Sequence, residues 1–238
     1  MLDTLPGTLI RMDRIPLELP RERVFGRLRQ DLDGPFAQEI DDAIARSLAA
    51  ARPKAIALEA FIEARDGDAV TIAGARFVSR TLAQEVREVE RVFPYIATCG
   101  RELDALQAPA GDPFGAFCLD TIREMAVGAA RSALRRHLVQ RYGVEKLAGM
   151  SPGSGDRVVW PIEQQRELFG CFGDTEALLG VRLTESCLML PAKSVSGIMY
   201  PARVDFITCA LCRRDNCSGR RAPFDEHLWA QRVGTEEA

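Results

Sequence analysis

The chain has 238 residues, of which 47% are hydrophobic, so it can bury a substantial core and is not a disordered segment. A formal net charge of −3 and a pI near 5.6 exclude the basic face with which a nucleic-acid binder displaces counterions. With only two histidines, His137 and His227, a mechanism built on a histidine base or a multi-histidine metal site has little to work with.

Residues 1–23 carry charges and prolines where a secretory peptide needs an uninterrupted apolar stretch, and no later run is long enough to span a bilayer. A cytoplasmic protein with no membrane partner is therefore expected. Residues 35–51 place Phe36, Ile40, Ile44 and Leu48 four apart behind Pro35, which predicts an amphipathic helix. Residues 55–64 and 69–72 predict two strands of a hairpin joined at Asp66-Gly67-Asp68. A helix over 80–90 follows, then a strand over 92–98 that leaves through Cys99-Gly100.

The strongest helical pattern covers 114–142, with a seam at Leu119, Ile122, Ala126, Ala129 and Ala133. Beside it Asp120, Glu124 and Gly128 recur every four residues, so two carboxylates and a missing side chain share one flank. Glycine inside a helix costs about 1 kcal/mol relative to alanine, so Gly128 points to close approach by a backbone or a ligand, with close helix packing as the plainer alternative. Beyond Gly149 comes a loop carrying Pro152, Gly153 and Gly155. A short helix over 161–172 follows, then two β-like runs over 181–190 and 194–200, separated by Pro191-Ala192-Lys193. No internal repeat is present, and the pattern predicts a single α+β domain over 1–208 with a cysteine-rich extension over 209–238.

Seven cysteines in a cytoplasmic chain are expected to be reduced thiols or metal ligands. Cys209, Cys212 and Cys217 have C-x2-C-x4-C spacing, in which a tight turn lets two thiolates grip one ion and the returning chain supplies a third. Arg213, Arg214, Arg220 and Arg221 would offset thiolate charge. Cys187 is the first candidate for a fourth ligand, with Cys99 and Cys171 behind it. Zinc would make the site a structural clip and an iron-sulfur cluster an electron entry point, while three reduced surface thiols are the plain alternative. Cys118, beside the apolar seam, is expected in the core.

Residues 150–200 carry several consecutive pieces of one pattern: the Pro152-Gly153 loop, a short helix, Leu183-Thr184-Glu185-Ser186, Met189, Pro191 and Ser194-Val195-Ser196-Gly197. In order and spacing this resembles the activation domain of cobalamin-dependent methionine synthase, and Asp120 and Glu124 look like the counterparts of that family's upstream Asp-x-x-x-Glu helix. The resemblance implies a C-shaped domain with a twisted antiparallel sheet and flanking helices. It implies an S-adenosylmethionine site at Asp120, Glu124, Pro152, Gly153, Ser154, Glu185, Ser194, Ser196 and Gly197, with Lys193 at its mouth.

It further implies an accessory role in the reductive remethylation of an inactivated corrinoid. The chain would be a component of methionine synthase activity and not a complete enzyme, and the cobalamin would sit on a partner: the remaining methionine synthase modules or another corrinoid protein, served by a reductant protein. The family's loop reads Arg-x-x-Pro-Gly-Tyr, whereas Gly149 and Ser154 stand at its ends here, so the arginine contact to a ligand carboxylate must come from elsewhere, for instance Arg157. Two other readings compete: a metal- or cluster-bearing electron-transfer partner without S-adenosylmethionine, and an interaction protein that keeps only the fold.

Overall fold

The computed structural model describes residues 7–203, 206–217 and 220–233. In chain order the elements are β1 (Thr8–Met12), α1 (Arg21–Leu28), α2 (Ala37–Ala50), β2 (Lys54–Asp66), β3 (Ala69–Ile72), β4 (Ala75–Val78), α3 (Arg80–Glu85), β5 (Arg91–Thr98), α4 (Arg101–Asp104) and α5 (Pro113–Tyr142). They continue with β6 (Leu147–Met150), α6 (Gln165–Gly170), α7 (Thr175–Leu179), β7 (Arg182–Leu183), β8 (Met189–Leu190), β9 (Ser194–Pro201) and α8 (Glu226–Arg232). Among the described residues no helix is long and apolar enough to cross a membrane.

Seven strands form one antiparallel sheet in the order β4-β3-β2-β5-β9-β6, with β1 also paired to β2. β2 pairs with β1 and β5 along its first half and with β3 beyond a register shift at Ile62/Ala64, so one long strand serves two parts of a curled sheet. Its two faces bury different cores. Ala55, Ala57, Tyr95, Ala97 and Met199 meet Ala130, Leu134 and Leu138 of α5 on one side. Ile56, Leu58, Ile96, Ile198 and Tyr200 on the other meet Trp160, Leu168, Phe172, Leu211 and Trp229. The alternation of strand side chains produces this division.

The expected α+β class, with an antiparallel sheet and flanking helices, is the observed one. Helix 80–90 is shorter than its pattern suggests and stops at Glu85, because the carbonyls of Val86 and Val89 accept hydrogen bonds from Arg65 and the chain turns into β5. The seam of α5 also differs from the expected one. Cys118 and Ile122 pack on α1 and α2, Ala126 packs beside α4, and Ala130, Leu134 and Leu138 meet the sheet, while Ala129 and Ala133 are only half-buried. A helix of 30 residues that changes partners along its length follows no single stripe. The boundary expected at 208/209 falls inside a 3-10 turn, Thr208–Leu211, and Leu211 and Trp229 beyond it belong to the larger core.

The last helix is held by a buried charge. The Glu85 carboxylate lies 2.9 Å from Arg232 of α8 and accepts the Tyr200 hydroxyl at 3.3 Å. Burial raises the Glu85 pKa despite both partners. A carboxyl whose folded pKa is raised takes up its proton first in the folded state, so its contribution is present at acid pH and is lost as pH rises through the folded value. Glu85→Gln abolishes this term. The stability difference, wild type minus variant, is therefore expected to move toward wild type between neutral pH and a pH below about 4, as followed by urea denaturation; a difference independent of pH would refute the assignment.

Candidate functional site

Two contacts align α5 with the adjacent sheet edge. Lys193, just before β9, pairs with Asp120 at 2.9 Å. At the other end Arg135 donates to the carbonyl of Leu147, which lies opposite Pro201. β9 thus runs parallel to α5, about 26 Å from 193 to 201 against about 22 Å of helix from 120 to 135. Gly197 is half-way along the first span and Gly128 half-way along the second, so the two glycines stand level with each other. Gly149 of β6, opposite Met199, flanks them on the face that Met199 and Tyr95 share with α5.

These glycines differ in surroundings. A Cβ at Gly197 would sit 2.3 Å from the Met150 carbonyl oxygen and 2.6 Å from Ser151 Oγ, so this position is closed by the chain leading into the Pro152-Gly153 loop. A Cβ added at Gly128 would meet nothing within 4 Å, and the nearest neighbours of one at Gly149 belong to β9. The helix packing offered as one explanation of Gly128 is therefore not observed: the space beside it is open. The α5 flank bearing Asp120, Glu124 and Gly128 thus runs alongside the edge bearing Gly149, Ser151 and Lys193, and the seam between them is the candidate ligand groove.

The loop itself is tightly built. Pro152 is buried, Gly153 adopts φ of +75° and donates its amide to the Trp160 carbonyl at 2.9 Å, and the Ser154 amide donates to Ser151 at 3.0 Å. Trp160 is fully buried and its indole donates to Gln164 Oε1 at 3.3 Å, while Gln164 clasps the backbone of Val78. Core packing from the far side of the sheet holds the loop in place.

Of the residues expected from the sequence, Asp120 and Glu124 lie on this flank of α5 and Gly197 on the facing side of β9, closed over by Met150 and Ser151, while the Pro152-Gly153 loop packs toward Trp160 and Ile162. Ser194 and Ser196 do not turn toward it. They lie on the opposite face of β9, in register with Thr98 and Ile96; Ser194 hydrogen-bonds Thr98 Oγ1 and the Pro191 carbonyl, each at 2.8 Å, and Ser196 is buried. Strand alternation puts Lys193, Val195 and Gly197 on the α5 side instead. Glu185 occupies the exposed β7–β8 turn, where its carbonyl accepts from Arg166 close to α6.

The sequence reading missed Arg27. This guanidinium, from α1, reaches Glu124 at 2.8 Å across 97 residues of chain, and no local pattern signals such a pairing. Arg157, considered as a substitute for the missing loop arginine, pairs with Glu163 at 3.4 Å and is highly exposed. Arg27 and Lys193 are thus cations already paired with the carboxylates of the α5 flank, which also carries Arg131 and Arg135.

The four cysteines expected to share a metal are not brought together: among the described residues no group of three or more Cys, His, Asp or Glu could hold one. Cys187 is buried in the β7–β8 turn, and Cys209 lies within the 3-10 turn. The centre of the cysteine loop is taken instead by Arg220, whose guanidinium donates to the carbonyls of Cys209, Cys212, Arg214 and Ala222, gathering the backbone as a metal would gather the thiolates. Cavities of about 520 Å³ beside Lys146 and Arg232 and about 140 Å³ between α2 and α5 include none of the expected ligand-site residues.

No family model and no curated protein sequence matches the chain. Among solved structures it is similar to a crystal structure of the MetH reactivation domain bound to AdoHcy, with a TM-score of 0.53 and 14% sequence identity, over 85% of this chain and 81% of that one. The chain has the fold of the MetH reactivation domain. Because this likeness is one of fold, the chemistry has to be argued from the groove.

Proposed function

We propose that the chain binds S-adenosylmethionine in the groove between α5 and β6–β9 and serves as an accessory module for the reductive remethylation of a corrinoid held by a partner protein, such as the cobalamin-binding modules of methionine synthase. The observation that carries this reading is the open flank at Gly128, bordered by paired acidic and basic side chains, in a chain whose fold is shared with a domain bound to AdoHcy.

The groove's charges suit an amino-acid-bearing ligand. Asp120 and Glu124 offer carboxylates to an ammonium, and Lys193 and Arg27 offer the cations that the absent loop arginine would otherwise supply to a carboxylate. The Arg27–Glu124 pair is exposed and the Lys193–Asp120 pair half-exposed, so both contribute little to folding and exchanging partners for a ligand costs little. Gly153, in the left-handed region with its amide satisfied by Trp160, fixes the turn of the loop where a side chain would run into Ile162. The sulfonium ligand supplies the methyl group when bound; the chain contributes binding and orientation.

S-adenosylmethionine is expected to raise the melting temperature, since a ligand specific for the native state stabilises it by about 2.7 kcal/mol at one hundred times its Kd. Glu124→Gln should reduce the response and Gly128→Leu, which fills the groove, should remove it, with both variants folding as well as wild type. An unmoved melting temperature together with no binding in equilibrium dialysis would dispose of the ligand assignment. Retained binding in Gly128→Leu would move the site elsewhere.

A further inference from the structure

Cys209 and Cys212 stand at the two ends of one tight turn. The Cys212 amide donates to the Cys209 carbonyl at 3.2 Å. A four-residue turn closed in this way holds its first and last Cα atoms within about 7 Å, which overlaps the range, roughly 4.4–6.8 Å, at which a disulfide forms without moving the backbone. Arg220 holds the carbonyls of both cysteines from the inside, at 3.4 and 3.0 Å. Leu211 between them is fully buried in the core, and the Ala210 carbonyl accepts the Asp225 amide at 2.9 Å, at the start of α8. The turn is therefore fixed by groups other than its own thiols.

Three of the other cysteines are shut away in the core. Burial pushes Cys99 and Cys171 up to about 12 and Cys118 up to about 11, which leaves them protonated and inert at neutral pH. Cys209 and Cys212 are free and partly exposed. Arg213, Arg214 and Arg221 are exposed on the segments around them, as are Asp215, Asp225 and Glu226, and the Arg213 guanidinium lies 3.9 Å from the Trp229 ring.

We propose that Cys209 and Cys212 form a reversible dithiol–disulfide couple that exchanges two electrons with an anionic low-molecular-weight disulfide. One cysteine thiolate attacks a sulfur of the ligand disulfide, whose S–S bond breaks and releases one ligand thiolate, leaving a mixed disulfide. The second cysteine thiolate then attacks the protein sulfur of that mixed disulfide, forms the Cys209–Cys212 bond and expels the second ligand thiolate. The protein dithiol is oxidised by two electrons, the ligand disulfide is reduced to two thiols, and the two protons lost by the cysteines end on the ligand. The arginines select a ligand that carries carboxylates. The couple is independent of the groove and of what binds there.

The test uses the full chain, reduced and desalted without oxygen, then incubated with glutathione disulfide or with the uncharged hydroxyethyl disulfide, quenched in acid, and analysed by intact mass and peptide mapping. The expected result is loss of two hydrogens, a Cys209–Cys212 cross-link reversed by dithiothreitol, and oxidation about tenfold faster with glutathione disulfide at low salt. Cys217→Ser should behave as wild type, whereas Cys209→Ser and Cys212→Ser should each stop at the mixed disulfide. A cross-link through Cys217, a wild-type reaction that stops at the mixed disulfide, or stoichiometric zinc shielding both thiols after anaerobic purification would overturn the couple. Equal rates with the two disulfides would overturn the choice of an anionic ligand.

Discussion

Trp160→Ala is expected to remove about 3–5 kcal/mol of folding stability, as large-to-small changes of a fully buried aromatic do. The indole is fully buried, packs edge-on to Phe77 with centroids 5.9 Å apart at 87°, and donates to Gln164. Its loss leaves a cavity and also frees Gln164, which otherwise both donates to and accepts from the Val78 backbone. The neighbouring Val159 carbonyl accepts the Ser79 hydroxyl at 2.6 Å, so the same segment ties the loop over 151–160 to the start of α3. Urea denaturation should show the loss, and Trp160→Phe should recover a good part of it by refilling the space. Because the Trp160 carbonyl is the partner of the Gly153 amide, any ligand response of the alanine variant should fall as well. A cost below about 1 kcal/mol would mean that the site collapses freely and that the loop is held by something else.

Gly197→Ala is the second substitution expected to act strongly, with a cost of about 3 kcal/mol, at the upper end for overpacking. The added methyl group would lie 2.3 Å from the Met150 carbonyl oxygen and 3.1 Å from Tyr95 Cε1. The first neighbour is backbone and cannot rotate away, so β6 has to separate from β9 where Met150 pairs with Ile198. The contrast is Gly128→Ala, which places a methyl group in open space on a helix and should raise stability by roughly 0.5–1 kcal/mol. Opposite signs from two glycines standing level across one groove would be measured directly in paired melts. A destabilised Gly128→Ala would show that the helix flank is in fact closed.

What local pattern can encode was readable. The hairpin of β2 and β3 follows from two β-rich runs around Asp66-Gly67-Asp68, and α5 from an apolar period sustained over many turns. The order of the pieces from the Pro152-Gly153 loop to Gly197 led to the fold now seen in the structure. Short strands were read unevenly: β1, β4 and β6, of five, four and four residues, escaped, and the single β-like run expected over 181–190 is two two-residue strands, β7 and β8, joined by a turn. Their backbone partners identify them as strands, not their composition.

The site was legible only in part, and for the same reason. Sequence spacing put Asp120, Glu124 and Gly128 on one flank, because helical geometry is local. It did not distinguish Gly197 from Ser194 and Ser196, which fall on opposite faces of one strand; which face meets α5 depends on the register of β9 between β5 and β6. Nor could it reveal Arg27, whose partner Glu124 is 97 residues away, or Arg220 at the centre of the cysteine loop where a metal was expected. The C-x2-C spacing established that two thiols could meet; whether a third and a fourth join them depends on long-range packing, here on Leu211 and Trp229 anchored in the core and on one guanidinium bound to four carbonyls. The amino-acid sequence by itself determined α2 and α5, the long strands and the kinds of chemical group available, since these rest on interactions a few residues apart, whereas α1, α4, α7 and α8 are too short to show a sustained period. The tertiary structure alone decided which groups face the groove, because that follows from strand register and from contacts between residues far apart in the chain.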